Sequence, residues 1–106
     1  MSNAVFYCCF KLKKSTDVSA FLEVAKELND EFISMQNGYI SWQQLNDGDT
    51  WLDFITFETM EDVRAFEANS ANPGELALQF YSFINMNSCK VKRYLVERSY
   101  QSVPYN

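Results

Sequence analysis

A chain of 106 residues, 47% of them apolar and 16% aromatic, has the size of one domain and enough large side chains for a real core. A net charge of −5 argues against nucleic acid as a partner, because phosphate binding needs clustered Lys and Arg. No apolar run approaches the ~20 residues that a membrane-spanning helix requires, so no membrane partner is expected.

In chain order, Val5 to Leu12 is rich in aromatic and branched residues and predicts a strand. Ser15, Thr16 and Asp17 then supply helix-start chemistry, a hydroxyl cap with an acid in the first turn. From Val18, the apolar residues Phe21, Leu22, Ala25, Leu28, Phe32 and Met35 recur at helical spacing, and Gly38 ends that helix. Tyr39 to Leu45 and Trp51 to Phe57 are strand-like runs joined by Asn46-Asp47-Gly48-Asp49-Thr50, whose Asp-Gly step suits a hairpin. Thr59-Met60-Glu61-Asp62 resembles a capping box and opens a second helix through Val63 and Phe66. Asn72 as cap and Pro73 at the first helical position start a third helix, to about Ile84. Its residues Leu76, Ala77, Leu78, Phe80, Tyr81 and Phe83 leave almost no polar stripe, so cover on more than one side is expected. Lys90 to Tyr100 reads as the last strand, with a frayed tail after Ser99.

The order β-α-β-β-α(α)-β predicts an α+β, ferredoxin-like split β-α-β fold. Its four-stranded antiparallel sheet carries the helices on one face. The other face would present Tyr7, Leu52, Phe54, Tyr94 and Val96, too apolar for water, so a homodimer is expected.

The three cysteines include the adjacent pair Cys8 and Cys9, which a strand points to opposite faces. With no histidine in the chain, no metal site is expected, and reduced cysteines fit a cytoplasmic protein. Met1-Ser2-Asn3-Ala4 has neither the basic nor the apolar region of a signal peptide. The basic clusters Lys11, Lys13, Lys14 and Lys90, Lys92, Arg93 read as solvated strand ends.

One residue breaks the apolar run Trp51-Leu52-Asp53-Phe54-Ile55-Thr56-Phe57. Asp53 is the candidate general base, since a carboxylate in an apolar pocket has its pKa raised towards values useful for taking a phenolic proton. The competing reading is an ion pair with Arg93, Lys92 or Arg64. Trp51 and Phe57 share its face by strand alternation. Trp51 and Trp42 are candidates to stack on a flat ligand, or else belong to core and rim. Tyr81 is a candidate hydrogen-bond donor to a ligand oxygen. Cys8 is either a reactive thiol or an inert buried one.

The stretch Asn37-Gly38-Tyr39-Ile40, the hairpin, and Phe57-Glu58-Thr59-Met60-Glu61-Asp62-Val63 resemble the dimeric α/β-barrel superfamily, in its antibiotic-biosynthesis-monooxygenase-like branch. The resemblance spans Val5 to Tyr100 as a single domain over residues 1–106. It implies a homodimer whose two sheets close into a barrel, with a small ligand between sheet and helices of each protomer. It also implies a polar residue at Asp53 and, near Cys8, a polar group on the first strand. Two positions depart from the pattern. Phe57 replaces the tryptophan that ends strand three, and Phe66 stands where many members carry a helix histidine, which disfavours haem degradation.

The functional expectation is a small-molecule-binding homodimer resembling cofactor-independent monooxygenases of small phenol- or quinol-like aromatic compounds. The candidate site is Asp53 with Trp51, Phe57, Trp42, Tyr81, Cys8 and Phe66, without metal, haem or flavin. The alternative is a non-catalytic dimeric binding or interaction protein on the same scaffold.

Overall fold

The computed structural model describes residues 2–104 of the chain, so Met1 of the leader-peptide argument and the last two residues of the expected frayed tail lie outside the described residues. Among the described residues there are four strands: β1 (Ala4–Leu12), β2 (Tyr39–Asn46), β3 (Trp51–Phe57) and β4 (Ile84–Leu95). They form one antiparallel sheet in the order β2-β3-β1-β4. The helices are α1 (Val18–Glu31), α2 (Met60–Ser70) and α3 (Glu75–Ser82), with a short 3-10 turn at Ile33–Met35. This is the ferredoxin-like α+β arrangement.

Strand alternation sorts the sheet into two faces. Ala4, Phe6, Cys8 and Phe10 of β1 lie opposite Phe57, Ile55, Asp53 and Trp51 of β3. Ala4, Phe10, Trp51, Ile55 and Phe57 join the buried core with Phe21, Val24, Ala25 and Leu28 of α1, Val63 and Phe66 of α2, and Ala77 and Phe80 of α3. Aromatic rings hold the layers together. Phe21 stacks on Phe80 with ring centres 5.1 Å apart and meets Trp51 edge-on at 5.3 Å. Phe66 reaches both Phe6 and Phe57 at 5.3 Å. Such pairs add to the apolar burial that already drives packing.

Six boundaries differ from the sequence expectation. Asp17 is itself the N-cap of α1, accepting from Ala20 N–H at 3.1 Å, while the Thr16 hydroxyl turns back to Lys13 C=O. The helix ends at Glu31 because Phe32 leaves helical geometry (φ −133°, ψ −58°), and the chain tightens into the 3-10 turn before Gly38. α3 starts at Glu75 with Gly74 as cap, two residues later than an Asn72 cap implies. It stops at Ser82, and Ile84 is already the first residue of β4, so the last strand begins earlier than Lys90 and ends at Leu95 rather than Tyr100.

The reason lies in pairing. β4 follows β1 through Leu12↔Ile84 and Lys11↔Asn85, crosses an irregularity, then resumes at Cys9↔Lys90. The polar run Asn85-Met86-Asn87-Ser88 looks like loop, yet Ser88 Oγ accepts from Lys11 N–H at 2.8 Å and keeps the edge paired. Within the protomer α3 buries one face, Ala77 and Phe80, and leaves Leu78 56% exposed.

Candidate functional site

Between the sheet and the helices lies a cavity of about 210 Å³. Its walls include Phe6, Cys8 and Phe10 from β1, Trp42 from β2, Asp53 and Ile55 from β3, Phe66 from α2, and Phe80 and Tyr81 from α3. Met86, Cys89 and Val91 of β4 complete them. Asp53 is the one carboxylate among these lining residues.

Asp53 is placed by register. The hairpin turn between β2 and β3 is locked by Asp47, whose carboxylate accepts from Asp49 N–H at 3.0 Å and Thr50 N–H at 2.8 Å. Gly48 takes the positive φ (96°) that the turn needs. Counting outward, Asn46 pairs with Trp51 and Gln44 with Asp53. Gln44 therefore stands directly opposite the carboxylate, and Trp42 is its diagonal neighbour on the same face.

Both neighbours donate to one oxygen. Trp42 Nε1–H reaches Asp53 Oδ1 at 3.2 Å, and Gln44 Nε2–H reaches the same atom at 3.4 Å. Asp53 Oδ2 makes no hydrogen bond among the described residues. Since no fully buried side-chain oxygen or nitrogen among them lacks a partner, Oδ2 retains some accessible surface. The carboxyl is thus held by one oxygen and free at the other.

Asp53 is only 5% exposed, and among the described residues it forms no salt bridge. Burial pushes its pKa up to about 7, against the smaller downward pull of the Trp42 and Gln44 hydrogen bonds. The ion-pair alternative finds no support in the geometry. Arg93 is taken by Glu67 of α2, with Nε donating to Oε2 at 2.7 Å. Lys92 pairs with Tyr7, which belongs to the other face of the sheet, and Arg64 is exposed on α2.

The remaining candidates divide. Trp42, Tyr81, Cys8 and Phe66 line the cavity with Asp53. Trp51 and Phe57 do not: Trp51 packs on Phe21, and Phe57 is fully buried against Phe66 and Tyr39. Sharing a strand face with Asp53 is not enough to reach the cavity, because the helices cover both ends of β3. The Tyr81 hydroxyl has no partner among the described residues and is raised in pKa by burial first, then by the nearby Cys8, Cys89 and Asp53. Burial also pushes the Cys8 thiol up to about 12, with Cys89 and Asp53 adding to it, which makes it a poor nucleophile at neutral pH.

Sequence reasoning missed Gln44, Cys89 and Met86. The signal for Gln44 was available: a four-residue turn at 47–50 fixes Gln44 opposite Asp53 by counting. Cys89 and Met86 depend on the irregular β1–β4 pairing, which no local pattern reveals. Chemically, the site can hold a flat apolar molecule and exchange a proton at one carboxylate oxygen near neutral pH. Among the described residues no group of three or more side chains could hold a metal ion, and no helix is long and apolar enough to cross a membrane.

No protein-family model matches this sequence, and no curated protein matches it. Solved structures do resemble it. A variant of SnoaB, a cofactor-independent oxygenase from Streptomyces nogalater, superposes with a TM-score of 0.72 at 12% identity, covering 93% of this chain and 97% of that one. A monooxygenase from the gene ActVA-Orf6 of Streptomyces coelicolor, in complex with nanaomycin D, gives a TM-score of 0.73 at 16% identity, covering 96% and 94%. A dimeric ferredoxin-like protein from an uncultured marine organism gives 0.71 at 11% identity, covering 97% and 95%. The fold is therefore that of antibiotic-biosynthesis-monooxygenase-like domains, shared along nearly the whole chain.

Proposed function

We propose that this protein is a homodimeric, cofactor-independent oxygenase of small electron-rich aromatic molecules, with Asp53 as the general base. The observation that carries the reading is the buried carboxyl held at Oδ1 by Trp42 and Gln44, with Oδ2 left unbonded by the described residues in an otherwise apolar cavity. A phenol, quinol or anthrone-like methylene gives its proton to Oδ2. The resulting anion is electron-rich enough to reduce dioxygen itself, so the protein needs only to deprotonate, orient and exclude bulk water. For a methylene substrate the balance is one CH₂ and one O₂ giving one C=O and one H₂O. Tyr81 donates its free hydroxyl to a ligand oxygen, Trp42 and Phe66 supply flat apolar walls, and Cys8 is an apolar wall residue rather than a nucleophile.

The two oxygenase structures that share the fold support this reading, one as a cofactor-independent oxygenase and the other as a monooxygenase with nanaomycin D bound. The second subunit is supported by the uncovered sheet face. There Tyr7 meets Phe54 at 5.5 Å and Tyr94 at 5.9 Å, forming an aromatic cluster with Tyr94 47% exposed in the protomer. A two-fold pairing of this face buries it against its own copy.

The test is turnover of anthrones and quinols under isotopically labelled dioxygen, with no cofactor added. One labelled oxygen atom in the product and one in water per turnover supports the reading for an anthrone. Binding without oxygen consumption across the panel would transfer the protein to the non-catalytic alternative.

A further inference from the structure

Lys11, Lys13 and Lys14 surround a hollow of about 730 Å³ at the end of β1, together with Asp49, Asn85 and Asn87. This hollow shares Tyr81, Ile84 and Met86 with the walls of the Asp53 cavity. Met86, at 54% exposed, and the half-buried Tyr81 stand between the two spaces, so the hollow adjoins the cavity. Its charge is opposite to that of the molecule. Three lysines face one aspartate in a chain whose net charge is −5.

Lys11 spends part of its charge on Asp49, with Nζ 3.2 Å from Oδ2 and both groups well exposed. Lys13 and Lys14 have no ion pair among the described residues. Their backbone is held in place: Lys13 N–H donates to Phe83 C=O at 2.9 Å at the end of α3, and Lys13 C=O accepts from the Thr16 hydroxyl at 2.6 Å. Ser15 completes the turn with a positive φ of 62°. The backbone that carries both lysines is thereby fixed as a turn at the edge of the hollow.

We propose that this hollow recognises a carboxylate on the aromatic ligand, so that the preferred substrate is a hydroxyaryl acid bearing its acid at the end remote from the reacting hydroxyl. The inference rests on the proposed function, since it needs the hydroxyl at Asp53. The apolar ring lies in the cavity, the hydroxyl meets Asp53, and the carboxylate stops in the hollow, where Lys13 and Lys14 replace part of its hydration. A carboxylate driven inward would meet the walls of an apolar cavity, which disfavours the reversed pose.

Isothermal titration of the whole chain with 2-naphthol and with 6-hydroxy-2-naphthoic acid separates the outcomes. The acid is expected to bind about tenfold more tightly at neutral pH, because two partly solvated ion pairs each contribute modestly. That advantage shrinks when salt rises from about 50 to about 500 mM. In Lys13→Gln/Lys14→Gln it falls to within about twofold, while 2-naphthol binds as to wild type. Both lysines are exposed, and circular dichroism checks that the variant is folded. Equal affinity of the two ligands for wild type, or an advantage that survives in the double variant, overturns the inference about the hollow and leaves the aromatic cavity standing. Failure of both ligands to bind overturns the cavity reading and this inference with it.

Discussion

At the scale of single residues, Asp53 concentrates the energetics of the site. Its folded pKa is about 7 against an ordinary value of 3.8, so between those values the folded state holds a proton that the unfolded chain has released. Stability therefore falls as pH rises through this window, is unpenalised below it, and carries the full cost of a buried anion above it. Asp53→Asn removes the charge while keeping an acceptor for Trp42 and Gln44. Its melting temperature is expected to match wild type near pH 4 and to exceed it at pH 8, by an amount corresponding to on the order of a few kcal/mol. A structural ion pair would give the reverse, a variant that melts earlier at pH 8. Trp42 pulls the Asp53 pKa down through its hydrogen bond, so Trp42→Phe is expected to move the carboxyl titration above about 7. Carbon-detected NMR of the side-chain carboxyl measures both midpoints directly. The alternation of β3 made the burial of Asp53 legible in sequence. The identity of its donors was not, because they come from another strand and depend on the register that the Asp47 turn sets.

At the scale of elements, the junction between β2, β3 and α2 is closely packed at Gly38. Gly38 has φ +75°, and its C=O accepts from Glu58 N–H at 2.8 Å. A Cβ there would overlap the carboxylate of Asp62, which is itself bonded to the Thr59 hydroxyl at 2.9 Å at the start of α2. Gly38→Ala combines an unfavourable dihedral with that overlap and is expected to cost about 2 kcal/mol or more, read in a urea melt. Thr59→Ala removes the cap that accepts from Asp62 N–H at 3.1 Å and is expected to cost about 1 kcal/mol. Both elements were readable in the sequence, through the glycine and the capping pattern. The α3–β4 boundary was not. Leu76 to Ile84 runs apolar across it, so helical and strand burial look alike until Ile84 is seen paired with Leu12.

At the scale of the whole molecule, the sheet divides labour between its faces. The helix-covered face encloses the cavity, and the opposite face carries Tyr7, Leu52, Phe54 and Tyr94 in a mutual aromatic and apolar cluster. Phe54→Lys places a charge at the middle of that cluster. It is expected to convert the proposed dimer to a protomer of 12.3 kDa in sedimentation, with the Asp53 face unaltered. Wild type sedimenting as a monomer at micromolar concentration would remove the dimer from the proposal. The order of elements and the apolar outer face were both legible in the sequence, whereas the cavity, a property of packing between the sheet and the helices, was not.

The proton acceptor is the most direct point of attack on the proposed chemistry. The measurement is dioxygen uptake as a function of pH, for wild type and Asp53→Asn, with an anthrone or quinol that the wild type turns over. The wild-type rate is expected to rise through a single ionisation near pH 7 as the carboxyl becomes a base. The variant should be slower by on the order of 100- to 10,000-fold and should lack that ionisation. A variant that keeps the wild-type rate and pH profile would contradict the assignment of Asp53 as the base.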